Sequence, residues 1–153
     1  MLAKTFPEKN ILIAKNQPEY IPLPAFASPQ GDMTCCFELN EHEMKEALKD
    51  GMIFIRRLTF GNRLQPMVKS LLRPNFQLKK GYIDYHTTEV ITALAPRTKL
   101  NGEVAVAFKL DEKEIAQLKE TKQIWITTFT FGTGYQPIVP TTKNPHKNAI
   151  QKK

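Results

Sequence analysis

A chain of 153 residues with 41% apolar side chains is long enough for one ordinary domain or two very small ones and can fill a core, which excludes a disordered chain. It has no apolar run of about 18 residues that could span a bilayer, and its first residues lack the apolar stretch of a secretory signal, so a cytoplasmic location is expected. The net charge of +7 divides as +1 over residues 1–71, +2 over 72–142 and +4 over 143–153. The body is nearly neutral, which weakens the case for a broad nucleic-acid surface.

In chain order, Gln17-Pro18-Glu19-Tyr20-Ile21-Pro22-Leu23-Pro24 cannot form a helix and reads as a polyproline-like extended arm, laid over the body by Tyr20, Leu23 and Phe26. The alternation of Met33, Cys35, Phe37 and Leu39 predicts a strand with one buried face. Asn40 and Glu43 form a capping-box pattern that starts a helix with the stripe Met44, Ala47 and Leu48, and Asp50-Gly51 ends it. Met52 to Phe60 is rich in β-branched and aromatic residues and leads into a glycine turn at Gly61. The returning arm, Leu64 to Val68, contains Pro66 and belongs at a sheet edge. Leu71 to Asn101 is a linker with one or two strands around Gly81 to Leu94.

The same order then recurs. Val104, Val106, Phe108 and Leu110 alternate; Asp111 and Glu114 repeat the capping box; Ile115 and Leu118 form the helix stripe. Gln123 to Phe131 is the next arm, followed by Tyr135 to Val139 with Pro137. At a constant offset of 71, residues 31–70 and 102–141 share 13 identities in 40 gapless positions, including Thr59-Phe60-Gly61 with Thr130-Phe131-Gly132 and Gln65-Pro66 with Gln136-Pro137. The expected fold is therefore α+β: an internally duplicated strand-helix-strand-hairpin unit that forms one pseudo-twofold compact domain over residues 1–143. Repeat 1 covers about 9–70 and repeat 2 about 81–141, and residues 144–153 form a flexible basic tail.

Chemistry is sparse. Cys35 and Cys36 are too close in sequence for an ordinary disulfide and read as free thiols in a sheet; their counterparts are Val106 and Ala107. His42, His86 and His146 have no metal-ligand spacing, Glu41 and Glu43 read as helix-start residues, and Gly132-Thr133-Gly134 lacks the lysine of a phosphate loop. No catalytic residue, metal or cofactor is expected, and the chain is read as not an enzyme.

The two copies differ most where Arg56, Arg57 and Arg63 stand opposite Thr127, Thr128 and Gly134. Successive strand residues face opposite sides, so Arg56 and Arg57 cannot point the same way. These arginines read either as a solvated sheet face paired with local glutamates or as an anion site supported by Lys69 and Arg73. Trp125, in place of Phe54, reads either as core or as an anchor for an interface or a base. The candidate ligand- or partner-binding residues are thus Arg56, Arg57, Arg63, Lys69, Arg73 and Trp125.

The extended Gln-Pro-Glu-Tyr-Ile-Pro-Leu-Pro segment, a helix, and then aromatic-x-x-x-x-Thr-Phe-Gly-x-x-x-Gln-Pro resembles small uncharacterised proteins of bacteriophages and mobile elements of Bacteroidetes-type hosts, over residues 16–70 and again over 102–143. The resemblance implies a phage or prophage accessory context rather than a chemistry. This chain departs from it in having two units and in carrying Phe54 where the first unit's tryptophan is expected. A function that a single unit performs as a homodimer is then internalised. The expected function is non-catalytic capture of an anionic small ligand or a protein partner, to counter a host defence in the host cytoplasm. The alternatives are a virion structural or assembly protein, docking through its edge strands, and a single-stranded nucleic-acid-binding protein using aromatics and the basic tail. No membrane partner is expected; a homo-oligomer is compatible with the exposed edges.

Overall fold

The computed structural model describes residues 1–58, 67, 69–73, 91–94, 103–129 and 138–147. Among them are two helices and nine strands, all paired antiparallel, so the fold is α+β. The strands are β1 (Leu2–Lys4), β2 (Ile11–Ile13), β3 (Leu23–Ala27), β4 (Asp32–Glu38), β5 (Met52–Leu58), β6 (Ile91–Leu94), β7 (Glu103–Lys109), β8 (Gln123–Phe129) and β9 (Ile138–Thr141). The helices are α1 (Glu41–Asp50), between β4 and β5, and α2 (Glu112–Thr121), between β7 and β8.

Both helices start where the sequence requires. Asn40 and Asp111 each accept the backbone N–H three residues on, and Glu43 and Glu114 accept the cap residue's own N–H, which satisfies two donors at each helix start. Both end on a left-handed residue, Gly51 at φ 65° and Lys122 at φ 55°. Met44 and Ala47 of α1 and Leu118 of α2 are buried, so the predicted stripes face the core.

β4 is paired along both edges. β8 runs opposite the whole of it, from Asp32 against Phe129 to Glu38 against Gln123. On the other edge β3 meets its first half and β1 its second, and β2 adds to β3 while β9 closes the far edge beyond β8. A second sheet has the order β5-β7-β6. The inward residues of both sheets, among them Cys35, Phe37, Ile53, Ile55, Val106, Phe108, Ile124 and Ile126, make one continuous core with Leu118 and Met44. One backbone bond at the helix ends continues each strand pair, Leu39 N–H to the Lys122 carbonyl at 2.9 Å beyond β4–β8 and Leu110 N–H to the Gly51 carbonyl at 2.7 Å beyond β5–β7. Glu43 does more than cap its helix. It is 3% exposed, its Oε1 accepts the Leu71 N–H at 3.2 Å, and its Oε2 lies 2.6 Å from the α-amino nitrogen of Met1.

The arm before β4 differs from its reading. Residues 11–13 and 23–27 form a short hairpin, and Gln17 and Tyr20 donate back to Ala14 and Gln17, so 14–20 is a pair of turns rather than polyproline chain. The backbone can turn there because the prolines at 18, 22 and 24 leave those two N–H groups available. β9 is a returning arm at a sheet edge, with Pro140 in it; Met67 bridges Arg57 in the corresponding place of the first half. The glycine turns, Leu64 to Pro66, Tyr135 to Pro137 and the stretch from Gly81 to Val90 lie outside the described residues. β6 falls at the end of the linker segment read as strand.

Candidate functional site

The β4–β8 pair is covered on both faces, and the two coverings differ in kind. On the outer face Cys36 and Trp125, which stand opposite each other, pack with Phe6 and Phe26. The Phe6 and Trp125 rings meet edge to face, centroids 4.9 Å apart. Beside them Thr34 bonds Thr127 at 2.8 Å and His146 Nε2 at 2.9 Å, and the His146 ring lies 4.2 Å from that of Phe26. Asn144 donates to Glu8 at 3.1 Å, so the segment expected to be a mobile tail is docked over residues 144–147. Burial holds the His146 imidazole below its ordinary value, with Glu8 and Asp32 pulling weakly the other way.

The described residues fill the inner face only in part. Between it and the β1 and β2–β3 segments lies a cavity of ≈ 980 Å³, large for a small-molecule site, where about 300–1,000 Å³ is usual. Met33, Cys35 and Phe37 of β4 with Ile126 and Thr128 of β8 form its floor. Leu2, Tyr20 and Ile21 stand at its mouth, 60%, 55% and 77% exposed, and are three of the most exposed large apolar residues described. Met67 and Lys69 complete the wall. Lys69 is the charged side chain of the described lining, which contains no carboxylate.

A second cation reaches the inner face of the floor from the other sheet. The Arg57 side chain is 1% exposed and points inward from β5, and its guanidinium donates to the Thr128 hydroxyl. Thr128 lines the cavity, so its own O–H can donate into it while Arg57 adds positive potential beside it. The Cys35 thiol in the floor is pushed up to about 12 by burial, against a smaller opposite pull from Arg57, and stays protonated at neutral pH.

The residues named from sequence therefore do not form one cluster. Lys69 lines the cavity and Arg57 reaches its floor at Thr128. Arg56 is half-buried and lies with Phe54 on the opposite face of β5, where the exposed Arg73 places its guanidinium 4.9 Å from the Phe54 ring centroid. Trp125 is 5% exposed and turned away from the cavity, and Arg63 lies outside the described residues. Sequence reading missed the cavity itself. Its signal was the proline-rich arm, whose Tyr20, Ile21, Pro22 and Pro24 supply the mouth and one wall. Among the described residues no group of three or more His, Cys, Asp or Glu could hold a metal ion, and no helix is long and apolar enough to cross a membrane.

The chain matches no family model, no curated protein and no solved structure.

Proposed function

We propose that the chain is an internally duplicated, pseudo-twofold, non-catalytic binding protein of phage-accessory type, and that its first unit has been specialised to hold an anionic ligand or partner. Support for the duplication comes from the element bounds and the strand registers. Adding 71 to the bounds of β4, α1 and β5 gives those of β7, α2 and β8. Replacing each residue by its counterpart turns the pair Cys36–Trp125 into Ala107–Phe54, and both pairs occur. It likewise turns the Leu39–Lys122 bond into Leu110–Gly51, and the Arg57–Met67 bridge into Thr128–Ile138. Arg57 bonds its own counterpart, Thr128, a contact that belongs on a pseudo-twofold axis. The flanks depart from the relation: the offset puts residue 97 opposite Ala105, where Ala93 stands.

The observation that carries the binding reading is the placement of Arg57 and Lys69 at the cavity. Their counterparts in the second unit are Thr128 and Pro140, so both cations are departures from the shared pattern. Among the described lining residues Lys69 is the cationic side chain and none is Asp or Glu, while the Met1 ammonium is taken by Glu43, an arrangement that favours an anion at Lys69. The resemblance at the Thr-Phe-Gly-x-x-x-Gln-Pro motif supplies the phage context, and with it the expectation that the captured molecule belongs to a host defence in the host cytoplasm.

Thermal-shift and calorimetric titration with inorganic phosphate, nucleotides, simple carboxylates and acidic peptides tests the reading. At least one anion should bind the wild-type chain and bind Lys69→Glu roughly tenfold or more weakly. Equal affinity of both proteins for every anion contradicts it. One observation favours the virion reading as well: β9 lies at a sheet edge with Val139 42% exposed, a surface open to strand addition. Mass spectrometry of purified particles separates the two. The nucleic-acid reading draws no support from Trp125, which Phe6 covers.

A further inference from the structure

We propose that the cavity takes a long-chain carboxylate, its alkyl chain lying along the β4–β8 floor and its head group meeting Lys69. This rests on the anion-binding reading above and narrows it to one class of ligand. The floor is apolar from Met33 to Phe37, four residue steps or roughly 13 Å along the strand, so it favours an extended chain over a compact, highly charged one. Opposite Phe37 lies Ala3 of β1, which also lines the cavity and leaves room that a larger side chain would take. At the mouth, Leu2, Tyr20 and Ile21 expose apolar surface that an alkyl chain would remove from water.

Charge fixes the other end. A nucleotide or polyphosphate needs several cations, and the described lining provides one cationic side chain, Lys69, beside neutral donors on Thr5, Gln17, Tyr20 and Thr128. One carboxylate matches that supply. Arg57, buried beside Thr128 and outside the described lining, adds attraction, and the protonated Cys35 thiol does not repel the chain. An acidic peptide would bring a second set of backbone donors and acceptors to a floor whose Met33, Cys35, Phe37 and Ile126 side chains leave most of them unpaired.

Calorimetry on the full chain with octanoate, decanoate and dodecanoate, the matching primary alcohols, acetate and inorganic phosphate decides the matter. Each added methylene should tighten acid binding by about fourfold, and each acid should bind roughly tenfold or more tightly than its alcohol. Lys69 is exposed, so Lys69→Ala should fold normally; it should abolish most of the acid-over-alcohol preference and leave the alcohols unchanged. Affinity that does not change with chain length overturns the proposal. If acetate or phosphate then still binds in a Lys69-dependent way, the broader anion reading survives. Acids and alcohols binding equally, or nothing binding, overturns both.

Discussion

Residues 32–58 and 103–129 fold into the same strand, helix and strand, yet they carry different burdens. Glu114 only caps its helix, whereas Glu43, at the matching position, also accepts the Leu71 N–H inside the core. Gly51 ends α1 at a φ that suits glycine, whereas Lys122 ends α2 at nearly the same φ with a side chain to accommodate. Arg57 is buried where Thr128 is, and the two bond each other. The difference teaches that the shared residues build the scaffold and the unshared ones tune it.

Breaking the outer-face packing should have the largest effect. Trp125→Ala removes the ring that Phe6 and Cys36 cover and should cost about 4 kcal/mol in a denaturant titration. The two glutamates sharpen the comparison next. Glu43→Ala leaves the buried Leu71 N–H without its acceptor and should cost about 3 kcal/mol, against about 1 kcal/mol for Glu114→Ala; similar costs would mean the two positions are not specialised. The helix ends should respond with opposite signs. Gly51→Ala strains the left-handed residue and brings its Cβ to 3.4 Å from Ile115 Cδ1, at a cost of about 1 kcal/mol, while Lys122→Gly should stabilise by about 0.5–1 kcal/mol.

The smallest effect concerns pH. His146 is held below its ordinary value of 6.5, so on acidification the unfolded chain takes up the proton first. Its contribution is complete above that value and is lost as pH falls from about 6.5 towards the folded value. Against His146→Gln, the wild-type melting temperature should lose part of its advantage as pH falls from about 7 to about 5.5. A constant gap between the two proteins would show that His146 titrates no differently on folding.

The scaffold was legible because its signals are local. Capping boxes at Asn40 and Asp111, alternation in β4 and β7, and Gly51 each state their own conformation without reference to distant contacts. The arm was not, since two weak turns and a three-residue strand are decided by pairing with β3 rather than by their own composition. The candidate site was legible only in part. Comparing the two segments singled out Arg56, Arg57 and Arg63, with Lys69 and Arg73 named beside them as support, but periodicity does not say that Arg57 is turned into the core to meet Thr128. The cavity depends on the N-terminal segments standing off the sheet, a tertiary fact with no sequence period.

The two faces of β8 allow the most direct test. In methyl-resolved NMR, titration with decanoate should move the Ile126 and Thr128 methyl resonances saturably, leave the Trp125 indole N–H in place, and require roughly tenfold more ligand in Lys69→Ala. Movement of Trp125 with Ile126 and Thr128 silent, or the same shifts at the same concentration in Lys69→Ala, would contradict an anion site on the inner face.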